Sequence, residues 1–164
     1  MVLQAFAAAP TWRYPTPEEL RAVTYVSLAA GVKGVFYFIY SHMPGYLDGM
    51  VGADGQATAM YEPTAKLAQE LGKLAPMLLT LKPAPAPTKV EGEVRVGSFR
   101  DPRGGPVLIV ASTRPGEAVT ARLTVGSNFG WQDALSGERL TPQEKVLTVP
   151  LGPGAGRVLV QPGP

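Results

Sequence analysis

Two hydrophobic periodicities divide the chain. In residues 1–81 the apolar positions form either unbroken short runs or a helical stripe. Val35-Phe36-Tyr37-Phe38-Ile39-Tyr40 has no polar alternation, the pattern of a strand buried on both faces, as in a parallel sheet under helices. Val2-Leu3-Gln4-Ala5-Phe6 is a second run of this kind. Between them Thr16-Pro17-Glu18-Glu19 is a capping box with proline at the first helical position. It predicts a helix to about Ala30, ended by a left-handed Gly31. That helix is almost entirely apolar or small after Arg21, so it is covered on more than one side. Leu67, Leu71, Leu74 and Leu78 recur at helical spacing opposite Lys66, Gln69, Glu70 and Lys73. They predict a second helix from about Thr64, kinked or restarted at Pro76. The order is β–α–β–α, with a right-handed crossover.

Residues 82–89, Lys-Pro-Ala-Pro-Ala-Pro-Thr-Lys, carry three prolines at alternate positions and predict a stiff, extended connector. Beyond it the pattern changes to six or seven short strands. VEGEVRVGSF and AVTARLTV alternate, PVLIVAS reads as a buried central strand, and NFGWQDAL, KVLTVPL and GRVLVQP complete the set. Turn signals every 8–12 residues, such as Arg114-Pro115-Gly116, Ser136-Gly137 and Gly152-Pro153-Gly154, argue for an antiparallel β-sandwich. The predicted division is 1–82, 83–89 as linker and 90–164, and the sandwich is expected to fold independently.

Composition narrows the function classes. The 164 residues are 45% hydrophobic and only 17% charged, with 19 Gly and 17 Pro gathered in the connections. The net charge of +2 comes from scattered basic residues without interleaved aromatics, which argues against nucleic acid as partner. The absence of cysteine excludes disulfides, thiol catalysis and thiolate metal sites, and leaves the compartment open. No apolar run reaches the ~20 residues of a membrane-spanning helix, and no membrane partner is expected. The opening MVLQAFAAAP lacks the basic segment of a signal peptide. It enters a core strand at once, which points to a truncated or dissected protein.

The segments LQAF, RYPTPEELRAVTYVSLAAGVKGVFYFIYSH, the Asp-Gly loop that follows and the Pro-marked second helix resemble the last two βα units of a glycoside-hydrolase-type TIM barrel. VLIVAST, DALSGERL and the final GRVLVQ are similar to the small β-sandwich appended to many such barrels. The resemblance implies an α/β plus all-β protein: a (βα)2 quarter of a TIM barrel followed by a small antiparallel β-sandwich. In the retaining glycosidase barrels the acid/base follows the fourth strand and the nucleophile ends the seventh. This chain has no counterpart of the fourth. If VLQAF is the seventh, Gln4, Phe6 and AAAP stand at its end, with no Asp or Glu. Glycoside hydrolysis ordinarily uses two carboxyl groups ~5–5.5 Å or ~6.5–9.5 Å apart, and neither matches here, so no residue is assigned a catalytic role. Glu18 and Glu19 belong to the helix cap, and Glu62 precedes Pro63 at a helix entry.

The strand ends supply Gln4, Phe6, Trp12, Arg13 and Tyr14 from the first strand, and Tyr40, Ser41, His42, Tyr46 and Asp48 from the second. Gln4, Trp12, Arg13, Tyr40, His42 and Asp48 are the candidate substrate-binding residues. Aromatic rings suit the apolar face of a sugar, and the polar groups suit its hydroxyls. The alternative is that they pack the loops and cap the barrel mouth. His42 is the only histidine, so no histidine-rich metal site exists, and no cofactor is implied. Asp54-Gly55 reads as a turn, and a calcium loop there would need more oxygen ligands. Trp131 reads as a core or inter-sheet residue rather than a sugar-stacking one. Two parallel strands bury too little to stand alone. The expectation is a chain without independent catalysis that self-associates through residues 1–81. A tetramer closing an eight-stranded barrel is favoured over a domain-swapped dimer or a missing partner chain. A glycosidase or carbohydrate-binding site formed only in the completed barrel is the alternative, and a carbohydrate-binding sandwich is the third reading.

Overall fold

The computed structural model describes residues 1–8, 10–44, 48–87 and 89–162. Strand β1 (Val2–Gln4), helix α1 (Pro17–Ala29), strand β2 (Phe36–Phe38) and helix α2 (Tyr61–Leu78) come first in the chain. β1 and β2 pair in parallel, Leu3 opposite Tyr37 and Gln4 opposite Phe38. Among the described residues nine further strands follow: β3 (Lys82–Pro83), β4 (Lys89–Glu91), β5 (Val94–Arg100), β6 (Pro106–Ser112), β7 (Val119–Thr124), β8 (Trp131–Asp133), β9 (Arg139–Leu140), β10 (Val146–Leu151) and β11 (Gly156–Val160). They form two antiparallel sheets, β10-β7-β4 and β3-β5-β6-β11-β8-β9.

The helix starts follow the local rules. The Thr16 hydroxyl accepts from the Glu19 N–H, and the Glu19 carboxylate accepts from the Thr16 N–H at 2.8 Å. Gly31, at φ +89°, donates its N–H to Leu28 O and turns the chain out of α1. α2 begins earlier than the leucine spacing predicts, at Tyr61, and includes Pro63. A proline in the first turn costs no hydrogen bond, because those N–H groups have no partner within the helix. α2 also runs through Pro76 to Leu78, which loses one N–H in the last turn.

The VEGEVRVGSF segment is two strands rather than one. Gly92, at φ +103°, takes the chain from the three-stranded to the six-stranded sheet, and a Cβ there would lie 2.5 Å from the Thr120 carbonyl oxygen. The proline connector is partly built into the fold, since Lys82 and Pro83 pair with β5 and Ala84 donates to Ser98 O.

Strand β6 explains how the parts meet. Leu108 and Val110 face the cluster between the two sheets, with Ala121, Leu123, Trp131, Leu147, Val149 and Leu159. Val107, Ile109 and Ala111 face the other way, into a cluster with Leu20, Tyr25, Leu28, Ala29, Phe99 and Val158. α1 therefore lies directly on the six-stranded sheet. The contact is close because the sheet offers glycine there. A Cβ on Gly97 would sit 2.1 Å from the Ala29 carbonyl oxygen, and one on Gly156 would sit 2.1 Å from the Tyr25 ring. Among the described residues no helix is long and apolar enough to cross a membrane.

Candidate functional site

The parallel pair has one dressed face and one bare face. Leu3, Ala5 and Tyr37 turn toward the helices: Leu3 and Ala5 are buried, and the Tyr37 hydroxyl is 3.0 Å from Thr24 Oγ1. Successive side chains on a strand alternate, so Val2, Gln4, Phe36 and Phe38 occupy the opposite face. Val2 is 63% exposed and Phe36 71%. The sequence pattern predicts burial on both faces of β2; in the structure the helix side is the better covered, and on the other side Phe6 packs against Phe38 while Phe36 stays in solvent, since among the described residues no further strand pairs with β2.

The six candidate residues gather at the carboxyl ends of these strands in two groups. Gln4 donates its amide to the carbonyls of Phe6 at 2.8 Å and Arg13 at 2.9 Å, which folds the first loop back onto the strand. Arg13 forms a two-pronged pair with Glu19, at 2.7 and 2.6 Å, and also reaches Tyr14 O. The Arg13 guanidinium, followed by the Thr16 N–H, holds the Glu19 carboxyl at a pKa of about 2. Trp12 is 55% exposed and tilts over Phe6 with ring centroids 5.4 Å apart; Phe6 meets Phe38 edge-on at 5.7 Å.

In the second loop His42 Nδ1 lies 3.2 Å from Asp48 Oδ1, which also accepts the Ala53 N–H at 2.9 Å. Both side chains are partly exposed. Tyr40 is 61% exposed. The Tyr14 hydroxyl donates to Asp48 O at 2.7 Å and ties the two loops together. Burial and then the nearby Asp48 charge raise the Tyr14 phenol above its ordinary pKa. Tyr46 lies outside the described residues. Asp54 accepts the Gln56 N–H, and Gly55 sits at φ +76°, a turn as expected.

This arrangement brings the candidates to one end of the sheet, yet it commits most of their polar atoms. Gln4 and Arg13 hold loop backbone and a helix cap. Asp48 positions His42 and the loop at Ala53. Tyr40 and Trp12 present large exposed rings, which suit stacking on a sugar. The carboxylates of Glu19 and Asp48 are both engaged. Among the described residues no group of three or more His, Asp or Glu side chains is placed to hold a metal ion.

Trp131 is 4% exposed and belongs to the cluster between the sheets, as the sequence reading has it. Its Nε1 is buried with no hydrogen-bond partner among the described residues. DALSGE is a turn held from within. Asp133 accepts the N–H groups of Leu135 and Ser136, and Arg157 bridges Asp133 at 2.8 Å and Glu138 at 2.7 Å. Burial alone would raise the Asp133 pKa; the Ser136 N–H, the Arg157 guanidinium and the Leu135 N–H outweigh it and keep it below the usual value.

No family model matches the sequence, and no curated protein matches it. Solved structures do share the fold. An α-amylase from Geobacillus thermoleovorans, complexed with acarbose, aligns over 90% of this chain with a TM-score of 0.58 at 15% identity. AmyP in complex with maltose aligns over 96% with a TM-score of 0.55 at 13% identity. A Thermotoga maritima α-fucosidase in complex with fucose aligns over 98% with a TM-score of 0.56 at 14% identity. The matched region is 34%, 39% and 38% of those proteins respectively, so the chain spans between a third and two fifths of their length. This small mixed α/β chain thus has the fold of a part of larger glycoside hydrolases.

Proposed function

We propose that the chain is a glycoside-hydrolase-like barrel fragment, a (βα)2 quarter joined to a C-terminal β-sandwich, which is non-catalytic alone and self-associates through residues 1–81 to complete a barrel. The bare face and open edges of the β1–β2 pair carry this reading. Among the described residues no third strand pairs with β1 or β2, and Val2 and Phe36 lie in solvent beside those edges, a surface that joins further strands. The similarity to a part of larger glycoside hydrolases supports it. An eight-stranded barrel has four such pairs, and four copies in cyclic symmetry supply them. Each β2 then lies beside the β1 of the next copy, and Tyr40 and His42 ring one mouth four times.

Light scattering tests this. The wild-type chain is expected at four times the monomer mass at micromolar concentration. Phe36→Asp, a change at a position that makes little contact within the chain, is expected to give a monomer with the sandwich still folded. A wild-type monomer overturns the proposal. A stable dimer moves it to a domain swap.

The His42–Asp48 pair favours one second reading, a carbohydrate site formed only in the completed barrel. Turnover of aryl-glycosides by the assembled chain, lost in Asp48→Asn, would establish that reading and remove the non-catalytic one. No turnover is the expected result.

A further inference from the structure

A second surface has sugar-binding chemistry, on the sandwich rather than at the strand ends. A groove of about 600 Å³ is lined by Phe129, Gly130, Trp131, Arg139, Thr141, Gln161 and Pro162. Phe129 is 74% exposed, the most exposed large apolar side chain among the described residues. Its loop is pinned on the side of the β9–β10 connection: Val125 donates to Lys145 O at 2.8 Å, and Asn128 Oδ1 accepts the Lys145 N–H at 2.7 Å. Trp131, buried two residues on, anchors the other end. The ring is thus held in solvent by a fastened loop rather than left there by a loose one.

The polar groups beside it are uncommitted. Arg139 stands on β9 opposite Gln132. The nearby carboxylates Asp133 and Glu138 are both engaged by Arg157. No side-chain hydrogen bond or ion pair engages Arg139, Thr141 or Gln161 within the described chain. A planar guanidinium fork, an amide and a hydroxyl beside a flat exposed ring combine stacking with hydroxyl recognition. A single uncompensated charge is too little for a polyanion, whose affinity rests on several cationic contacts.

We infer that this groove binds a neutral pyranose oligosaccharide, with Phe129 stacking on one sugar face and Arg139, Gln161 and Thr141 reading its hydroxyls. The site is independent of the barrel proposal and is expected to persist in the Phe36→Asp chain.

Affinity electrophoresis of the full chain tests it, in gels containing soluble starch, xylan or galactomannan. At least one polysaccharide is expected to retard migration. Phe129→Ala should abolish the retardation and Arg139→Ala should weaken it about tenfold, both with unchanged melting temperature. The same retardation is expected from the Phe36→Asp chain. Full migration in all three gels overturns the inference. So does retardation that survives Phe129→Ala, which would put the ligand elsewhere, for example at the strand mouth. A concentration-dependent mass that Phe129→Ala lowers would assign the groove to a second copy of the chain and overturn it equally.

Discussion

The two sheets flanking α1 contrast sharply. On one side the β1–β2 pair covers only the face that meets the helices and leaves Val2, Phe36 and Tyr40 in solvent. On the other, β6 is covered on both faces: Val107, Ile109 and Ala111 by α1, Leu108 and Val110 by the three-stranded sheet. Both strands are unbroken apolar runs in sequence. What separates them is the number of neighbours. β6 has β5 and β11 on its two edges, whereas β2 has β1 on one. An apolar run therefore reports the environment a strand is suited to, and on β2 the proposed assembly would supply the surface that the described chain leaves out. α1 belongs to both sides, since it continues β1 in the chain and packs on the six-stranded sheet in space.

The largest expected effect comes from separating them. Residues 88–164 keep the cluster between the sheets and are expected to unfold cooperatively, as the sequence predicts. They lose α1 and β3, and so expose Phe99, Val107, Ile109, Ala111 and Val158. At ~1.5–3 kcal/mol for each large apolar side chain returned to water, the fragment is expected to be several kcal/mol less stable than the full chain and to self-associate. Denaturant melts of both, at several protein concentrations, measure this. Equal stability would show that α1 is a passenger on the sheet.

A smaller change attacks the same contact within the intact chain. Gly97→Ala places a methyl group against the Ala29 carbonyl oxygen, a backbone atom that cannot rotate away. Overpacking of this kind costs ~1–3 kcal/mol, so the melting temperature should fall by about 3–10 °C. Gly72→Ala is the control: nothing lies within 4 Å of the added carbon, and alanine favours the helix. A Gly97→Ala chain as stable as wild type would mean that helix and sheet slide freely past one another.

Much of this architecture was legible in the sequence. The capping box, the leucine stripe and the central strand at PVLIVAS each arise from local chemistry that tertiary packing reinforced. The break at Gly92 was not, because a strand that changes sheets keeps its alternation on both sides of the switch. The docking of α1 on the six-stranded sheet was invisible for a related reason: Gly97 and Gly156 read as weak points in strands, and only the opposing Ala29 and Tyr25 reveal them as the seat of a helix. At the strand ends the candidate residues are legible in the sequence, while their contacts with the loops are seen only in the structure. Gln4 and Arg13 stand as candidate ligand-reading groups in the sequence; the structure adds loop and cap contacts for both, because polar side chains beside short loops are readily taken up by the loop backbone. The exposed Phe129 had a signal in Asn128-Phe129-Gly130, an aromatic set between turn formers, which an alternating-strand reading passes over.

The smallest effect tests whether Arg13 serves the helix or a ligand. Glu19 has a folded pKa of about 2 against 4.5 as its ordinary value, first because of Arg13 and then because of the Thr16 N–H. A depressed carboxylate pKa contributes stability above the unfolded value, and loses it as pH falls through the folded one. The cap should therefore be at full strength above about pH 4.5 and weaken progressively toward pH 2. The pair is at the surface, so solvent and salt screen it and the contribution is small. Melting temperatures of wild type and Glu19→Gln, measured from pH 7 to pH 2 at low salt, should differ at neutral pH and converge at the acid end. Arg13→Ala should reproduce the shallower acid limb and leave any carbohydrate retardation unchanged. If it instead removes sugar binding while the two acid limbs coincide, Arg13 reads a ligand and the cap is incidental.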